Sequence, residues 1–215
     1  MKVLTIANRK GGAGKSTCAA HLAVESATAG YKTILIDLDP QKTLENWWDK
    51  REAEEPYLTD ASSSDLQEKI NDLQKKGFDL CIVDTPGDAS TTSLGAIQEA
   101  DLVLVPSKAT APDLSAIGRT IAMLKENRKK FVFLVTQGVP TSKNPLKAIS
   151  ILSEFGPVAP SAMTNRTSFA NAMGMGTSAT AVDKNAAHEM AVIWSFMEEK
   201  LFEKRKGSPN GKAKV

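Results

Sequence analysis

The chain is expected to be an α/β protein, a mostly parallel twisted sheet of about seven to eight strands covered by helices on both faces. Three observations predict this. Short apolar, β-branched runs alternate with longer segments of helical period. The runs are apolar at successive positions, as in strands buried on both faces. The stretches 9–17, 37–41 and 84–87 look chemical, and each follows such a run, at the carboxyl ends of strands where open parallel sheets bind ligands.

The elements follow in order. "KVLTIAN" (2–8) is a first strand, and "KSTCAAHLAVESATAG" (15–30) is an alanine-rich helix ended by Gly30. "KTILIDLD" (32–39) is strand-like, and "TLENWWDKREAEE" (43–55) is helical. In 62–77 serines can cap a helix that carries Leu66, Ile70 and Leu73 on one face. A strand at 78–86 precedes a helix near 90–99. Strands at 100–108 and 130–138 flank a helix at 113–130. A helix at 145–156 leads through a weak last strand at 157–165 into a loop, and a final helix spans 183–206. Residues 1–206 are expected to form one domain, and 207–215 a disordered basic tail.

With 215 residues, 41% of them hydrophobic, the chain can bury a large core. A net charge of +2 rules out a polycation, so any nucleic-acid contact must come from a local patch. Cys18 and Cys81 lack partners at metal-ligand spacing and are expected to be buried thiols of a reducing cytosol. No run has the length of a membrane span, and the apolar run at the N-terminus is too short for a signal peptide, so a soluble cytoplasmic protein is expected.

The chemistry centres on "NRKGGAGKST" (8–17). Gly11, Gly12 and Gly14 let the backbone curl and point successive N–H groups at an anion, and the following helix adds its positive end. Lys15 would reach the β- and γ-phosphates of a nucleotide, and the Ser16 hydroxyl would ligate Mg²⁺. The general pattern wants glycine at position 9, which is Arg9, and an additional lysine, Lys10, stands beside it. Lys15 already serves the loop's own phosphates, so Lys10 is most useful against a neighbouring nucleotide. Asp84 emerges from a buried strand beside the loop, where a carboxylate holds the metal's water shell. Asp37 and Asp39 fall on one side of a strand end. One can assist the metal while the other positions or deprotonates a water for in-line attack.

"KGGAGKST", "DLDPQ" and "DTPG" resemble the deviant Walker A, A′ and B motifs of the ParA/MinD family of P-loop ATPases, and the likeness extends over nearly the whole chain, including "VPSKATAPDLSAIG". It is most similar to the short ParA/ParF-type partition ATPases, which lack an N-terminal DNA-binding domain. The resemblance implies a P-loop NTPase fold, ATP and Mg²⁺ as cofactors, and a homodimer that forms on ATP. Residues 11–17 (Gly11, Gly12, Ala13, Gly14, Lys15, Ser16 and Thr17) would cradle the phosphates. Lys10 would be the signature lysine that crosses to the partner's ATP, Asp39 the catalytic aspartate, Asp37 a residue linked to Mg²⁺, and Asp84 the Walker B carboxylate. The family's base contacts correspond to Thr136-Gln137 and to Thr164-Asn165-Arg166. Many relatives carry Asn-Arg at the first pair and proline at Thr164. Adenine is favoured because no N/T-K-x-D guanine motif occurs.

The same resemblance implies ATP-dependent, sequence-independent binding to nucleoid DNA. It also implies a small centromere-binding or cargo adaptor protein that stimulates hydrolysis. Arg119, Lys125, Arg128, Lys129 and Lys130, with Lys204, Arg205, Lys206, Lys212 and Lys214 in the tail, could supply phosphate contacts. A protein cargo or a transferred DNA strand is an alternative to plasmid or chromosome. A MinD-like membrane regulator is another, but Glu198, Glu199 and Glu203 oppose anionic lipid near the C-terminus. Cys18 and Cys81 fall in core elements, against a cluster-bearing reductase, and Tyr31 and Tyr57 form no C-terminal tyrosine cluster of an autokinase. Trp47 and Trp48 are expected to pack, one inward and one half exposed, and Met173 and Met175 to fill gaps or line a partner surface. His21 and His188 have no acid or nucleophile near them in sequence and receive no catalytic role.

Overall fold

A computed structural model gives the fold and describes residues 1–88, 90–139 and 141–202. The elements run β1 (Lys2–Ile6), α1 (Lys15–Thr28), β2 (Thr33–Asp37), α2 (Thr43–Trp48), β3 (Tyr57–Leu58), α3 (Leu66–Lys75), β4 (Leu80–Asp84), α4 (Thr91–Glu99), β5 (Leu102–Lys108), α5 (Ala111–Glu126), β6 (Phe131–Gly138), α6 (Asn144–Ser153), β7 (Met163–Thr164), α7 (Thr167–Met175), a 3₁₀ turn (Ala179–Ala181) and α8 (Lys184–Leu201). Seven strands pair in the order β3-β2-β4-β1-β5-β6-β7, every pair parallel.

Burial on both faces of the sheet has the period of two that strands impose. Leu4 and Ile6 of β1, Leu80 and Ile82 of β4, Leu102 and Leu104 of β5, and Val132 and Leu134 of β6 belong to one core, which α1, α2, α7 and α8 cover. Val103, Val105, Phe133 and Val135 face α5 and α6 in a second core. Val3, Ile34, Ile36, Cys81 and Val83 face α3 and α4 in a third. Truncating a large member of these cores, such as Leu4 or Ile82, to alanine would cost about 2–5 kcal/mol. Both cysteines are fully buried, and burial pushes each thiol up to about 12.

The strands are shorter than their apolar runs, because the residues beyond their carboxyl ends turn away to build loops. Gly30 ends α1 as expected, with φ +89° and its N–H on Ala27 O at 2.9 Å. The expected helix at 43–55 stops at Trp48. After it, "DKREAEE" offers only Ala53 to an apolar face, so nothing would bury a longer helix. Tyr57–Leu58 instead joins the sheet edge as β3. Leu66, Ile70 and Leu73 are buried as expected, but the serines do not cap α3. Ser62 donates to the Asp65 carboxylate and shapes the preceding turn. Where a loop was expected after the last strand, residues 167–175 form α7. Trp47 is buried and Trp48 half-buried, with indole N–H groups donating to Thr177 O and Pro56 O. The tail at 207–215, with Lys204, Arg205 and Lys206, lies outside the described residues.

Candidate active site

The central strand β1 delivers the phosphate loop between β4 and β5. Ile6 pairs with Asp84 and Asp84 with Asp37, so the ends of three strands line up in one row. Gly12 and Gly14 adopt φ +70° and +86°, values that side chains rarely tolerate. Gly14 caps α1 with no side-chain acceptor, and no acidic residue occupies the first turn. The N–H groups at the start of α1 are therefore left for an anion. Thr136 Oγ1 donates to Ala13 O at 2.8 Å, and Gln137 Nε2 to Gly12 O at 3.0 Å. These bonds hold two loop carbonyls on the β6 side.

A cleft of about 530 Å³ opens over the loop. Gly11, Gly12, Gly14, Lys15, Ser16, Thr17 and Asp39 line it, together with Gly87 and Asp88. Ala13 is buried beneath. Gly87 comes close enough that a Cβ there would lie 3.0 Å from Gly11 Cα and 3.2 Å from Lys15 Nζ. Glycine at 87 thus lets the third strand's loop touch the phosphate loop beside its buried lysine.

Asp84 is fully buried, and neither of its carboxylate oxygens has a hydrogen-bond partner among the described residues. Burial pushes its carboxyl up to about 7, helped by the negative charges of Asp37 and Asp39 and only partly offset by the Ser16 hydroxyl and Lys15. A buried carboxylate with both oxygens unengaged beside a hydroxyl fits a divalent cation, whose charge would replace the missing donors. No three histidine, cysteine or acidic side chains converge on a metal position among the described residues.

Asp37, expected at the metal, is differently engaged. One oxygen accepts from Asp39 N at 3.0 Å, and the other from Leu44 N and Glu45 N, both at 3.0 Å. Burial raises its carboxyl, and these N–H donors work against the rise. Asp37 thus anchors the start of α2 and sets the turn carrying Asp39. Asp39 Oδ1 accepts from Gln41 N at 3.0 Å, and the residue lines the cleft.

Lys10 does not line this cleft. Its backbone N–H donates to Asn8 Oδ1, and its ammonium stands 2.9 Å from Asp113 Oδ1 on α5. Burial would raise the Asp113 carboxyl, but the Thr110 hydroxyl, Lys10 and Lys108 outweigh it and hold the group below its usual range.

A second cleft of about 250 Å³ shares Gly14 and Thr17 with the first. It brings together Thr136, Gln137, Thr164, Asn165 and Arg166, the five residues expected at the base. Four of them are already partnered, Thr136 and Gln137 with the phosphate loop and Thr164 and Arg166 with α8. Glu189 of α8, a largely buried residue, accepts from Thr164 N, Thr164 Oγ1, and Arg166 Nε and Nη2.

Residues 4–154 match the CobQ/CobB/MinD/ParA nucleotide binding domain. The chain belongs to this family. It is a ParA/MinD-family ATPase with the P-loop NTPase fold. Among its relatives, the protein ParA of Rhizobium radiobacter is 34% identical over 131 residues, covering 60% of this chain and 59% of that protein. The maintenance of carboxysome distribution protein A of Halothiobacillus neapolitanus is 29% identical, covering 81% of this chain and 85% of that one. A putative plasmid partition protein from Borrelia burgdorferi, solved with AMPPNP, superposes with a TM-score of 0.72 over 93% of this chain and 99% of its own, at 19% identity. At that identity the likeness concerns the fold.

Sequence reasoning missed Asp113 and Glu189 in this ParA/MinD-type site, and it gave Gly87, the last residue of the DTPG motif, no contact of its own. Asp113 and Glu189 each left a signal. Thr110-x-x-Asp113 is a capping-box pattern, and Thr110 does accept from Asp113 N. Glu189 falls on the buried stripe of Ala186, Met190, Ile193 and Met197, where an acid calls for a partner.

Proposed function

We propose that the chain is an ATP-dependent dimerising switch that binds DNA without sequence preference and positions plasmid or chromosomal DNA. A small centromere-binding or cargo adaptor protein stimulates its hydrolysis of ATP to ADP and phosphate. The observation that carries this reading is the place of Lys10. The loop's own cleft is served by Lys15, whereas Lys10 points to α5 with its side chain 39% exposed. A second phosphate-loop cation outside its own cleft has use if it neutralises the phosphates of a facing subunit, which makes ATP the glue of the dimer.

Within one subunit each group has a distinct task. The N–H groups of residues 11–17 and the Lys15 ammonium neutralise the phosphates. Ser16 and Asp84 would hold Mg²⁺, whose charge would offset that of the phosphate oxygens. Asp39 keeps one oxygen on Gln41 N and has the other to orient a water or accept its proton. Asp37 maintains that geometry from behind.

Arg119, Lys125, Arg128 and Lys130 are exposed on and after α5, and these cations are the proposed DNA-contacting patch of a chain with net charge +2. Lys129 is set apart, its ammonium donating to the backbone oxygens of Gln98 and Ala100. A dimer doubles the patch, which ties DNA affinity to the nucleotide state. Filter binding at several salt concentrations tests this. Tight, salt-sensitive binding is expected with ATP and weak binding with ADP, and equal affinity with both would reject the DNA switch. The carboxysome-distribution relative favours one second reading, the same switch with a protein cluster as cargo.

A further inference from the structure

Glu189 has no part in the phosphate chemistry, yet it is among the most heavily engaged side chains of the site. It is 8% exposed and reaches the base-side cleft from α8. Its carboxylate accepts the Thr164 backbone N–H at 3.1 Å, the Thr164 hydroxyl at 2.8 Å, and Arg166 Nη2 and Nε at 2.6 and 3.2 Å. The intervening Asn165 is pinned through its backbone, whose N–H donates to Gly138 O at 2.8 Å. The Asn165 side chain is exposed and makes no hydrogen bond among the described residues. One carboxylate therefore occupies two of the three polar side chains of this loop and leaves the amide between them available.

The purine edges make that division consequential. A guanidinium fork matches the two acceptors of guanine, O6 and N7, whereas an amide with one donor and one acceptor matches the N6 amino group and N7 of adenine. From this geometry we infer that Glu189 is a specificity-determining positioning residue. It withdraws the Arg166 fork from the base and presents the Asn165 amide, so that the cleft selects adenine over guanine. The inference rests on reading the two clefts as one nucleotide site. It differs from the expectation that Arg166 itself contacts the base.

The test is competition of ATP and of GTP against a fluorescent adenine nucleotide, with Mg²⁺, on the full chain. Wild-type protein is expected to prefer ATP. Glu189→Gln keeps the shape but removes the charge that retains Arg166, and should narrow the ratio of GTP to ATP dissociation constants by about tenfold, the worth of one bidentate pair. Adding Arg166→Gln to that variant should take the gain in GTP affinity away again. Arg166→Gln alone, which does not depend on how Glu189→Gln folds, should leave the preference for ATP over GTP in place. An unchanged ratio in Glu189→Gln, or equal weakening of both nucleotides, would overturn the inference. So would a loss of that preference in Arg166→Gln. Wild-type protein that binds neither nucleotide would instead sink the nucleotide reading of the clefts, and this inference with it.

Discussion

The two clefts that meet at Gly14 and Thr17 are built on different principles. On the phosphate side, recognition is a property of contiguous backbone: two left-handed glycines, an uncapped helix start and a lysine within five residues. In the second cleft, expected to hold the base, the polar side chains come from residues far apart in the chain. Thr136 and Gln137 brace the loop at Ala13 and Gly12, and Glu189 clamps Thr164 and Arg166. Further back, His21, Trp47 and Arg51 all bond the backbone of 176–179, joining α1 and α2 to the segment behind the base-side loop. A phosphate is held by geometry that one short motif can encode. A base is held by walls that only tertiary packing supplies.

The largest effect expected from breaking the phosphate half is on turnover. Asp39→Ala should lower activated hydrolysis by about 10²-fold or more, the usual worth of a positioned acid–base group, while leaving ATP-driven assembly in place. Steady-state phosphate release together with sedimentation checks this, and full activated turnover would remove Asp39 from the mechanism. Next comes Gly87→Ala. Its new methyl must displace Gly11 backbone or Lys15, so ATP affinity should fall by about tenfold or more with little change in melting temperature. Unchanged affinity in a calorimetric titration would show that the contact has slack.

The smallest expected effect probes the base half through pH. His21 is buried, with Nε2 accepting from Ala179 N and Nδ1 meeting Thr17 O, and burial lowers it to about 4 from 6.5. Between pH 6.5 and 4 the unfolded chain therefore binds more protons at this site than the folded one. Its contribution is full above 6.5 and is lost as pH falls toward 4, up to about 3 kcal/mol. Asp84, raised to about 7, acts in the opposite direction over the range above its unfolded value. The difference in denaturant stability between wild type and His21→Gln cancels Asp84 and should shrink from pH 7 to pH 4.5. A difference that stays constant would mean His21 is not held neutral.

The same contrast explains what could be seen in the sequence. The sheet, the helix after the phosphate loop and the motifs at three strand ends were legible because each rests on local period or local chemistry. Strand β3 and α7 were not. Tyr57–Leu58 is too short for a pattern and is a strand only because β2 offers it an edge. Helix α7 buries little beyond Phe169 and Ala172, so its apolar period is faint. At the site, Lys15, Ser16, Asp39 and Asp84 converge from motif positions. For Asp37, expected near the metal from its motif, nothing local shows that three N–H groups of the turn and α2 also donate to its oxygens. Gly87 is marked in sequence by the DTPG motif, but its close approach to Gly11 and Lys15 shows only once the loops are folded together.

The central claim is that ATP joins two copies of this chain through Lys10. Sedimentation velocity on wild type and Lys10→Ala, each with ATP and with ADP, tests it most directly. The account predicts a dimer only for wild type with ATP, and nucleotide binding retained in the variant. A Lys10→Ala protein that dimerises with ATP as wild type does would contradict it.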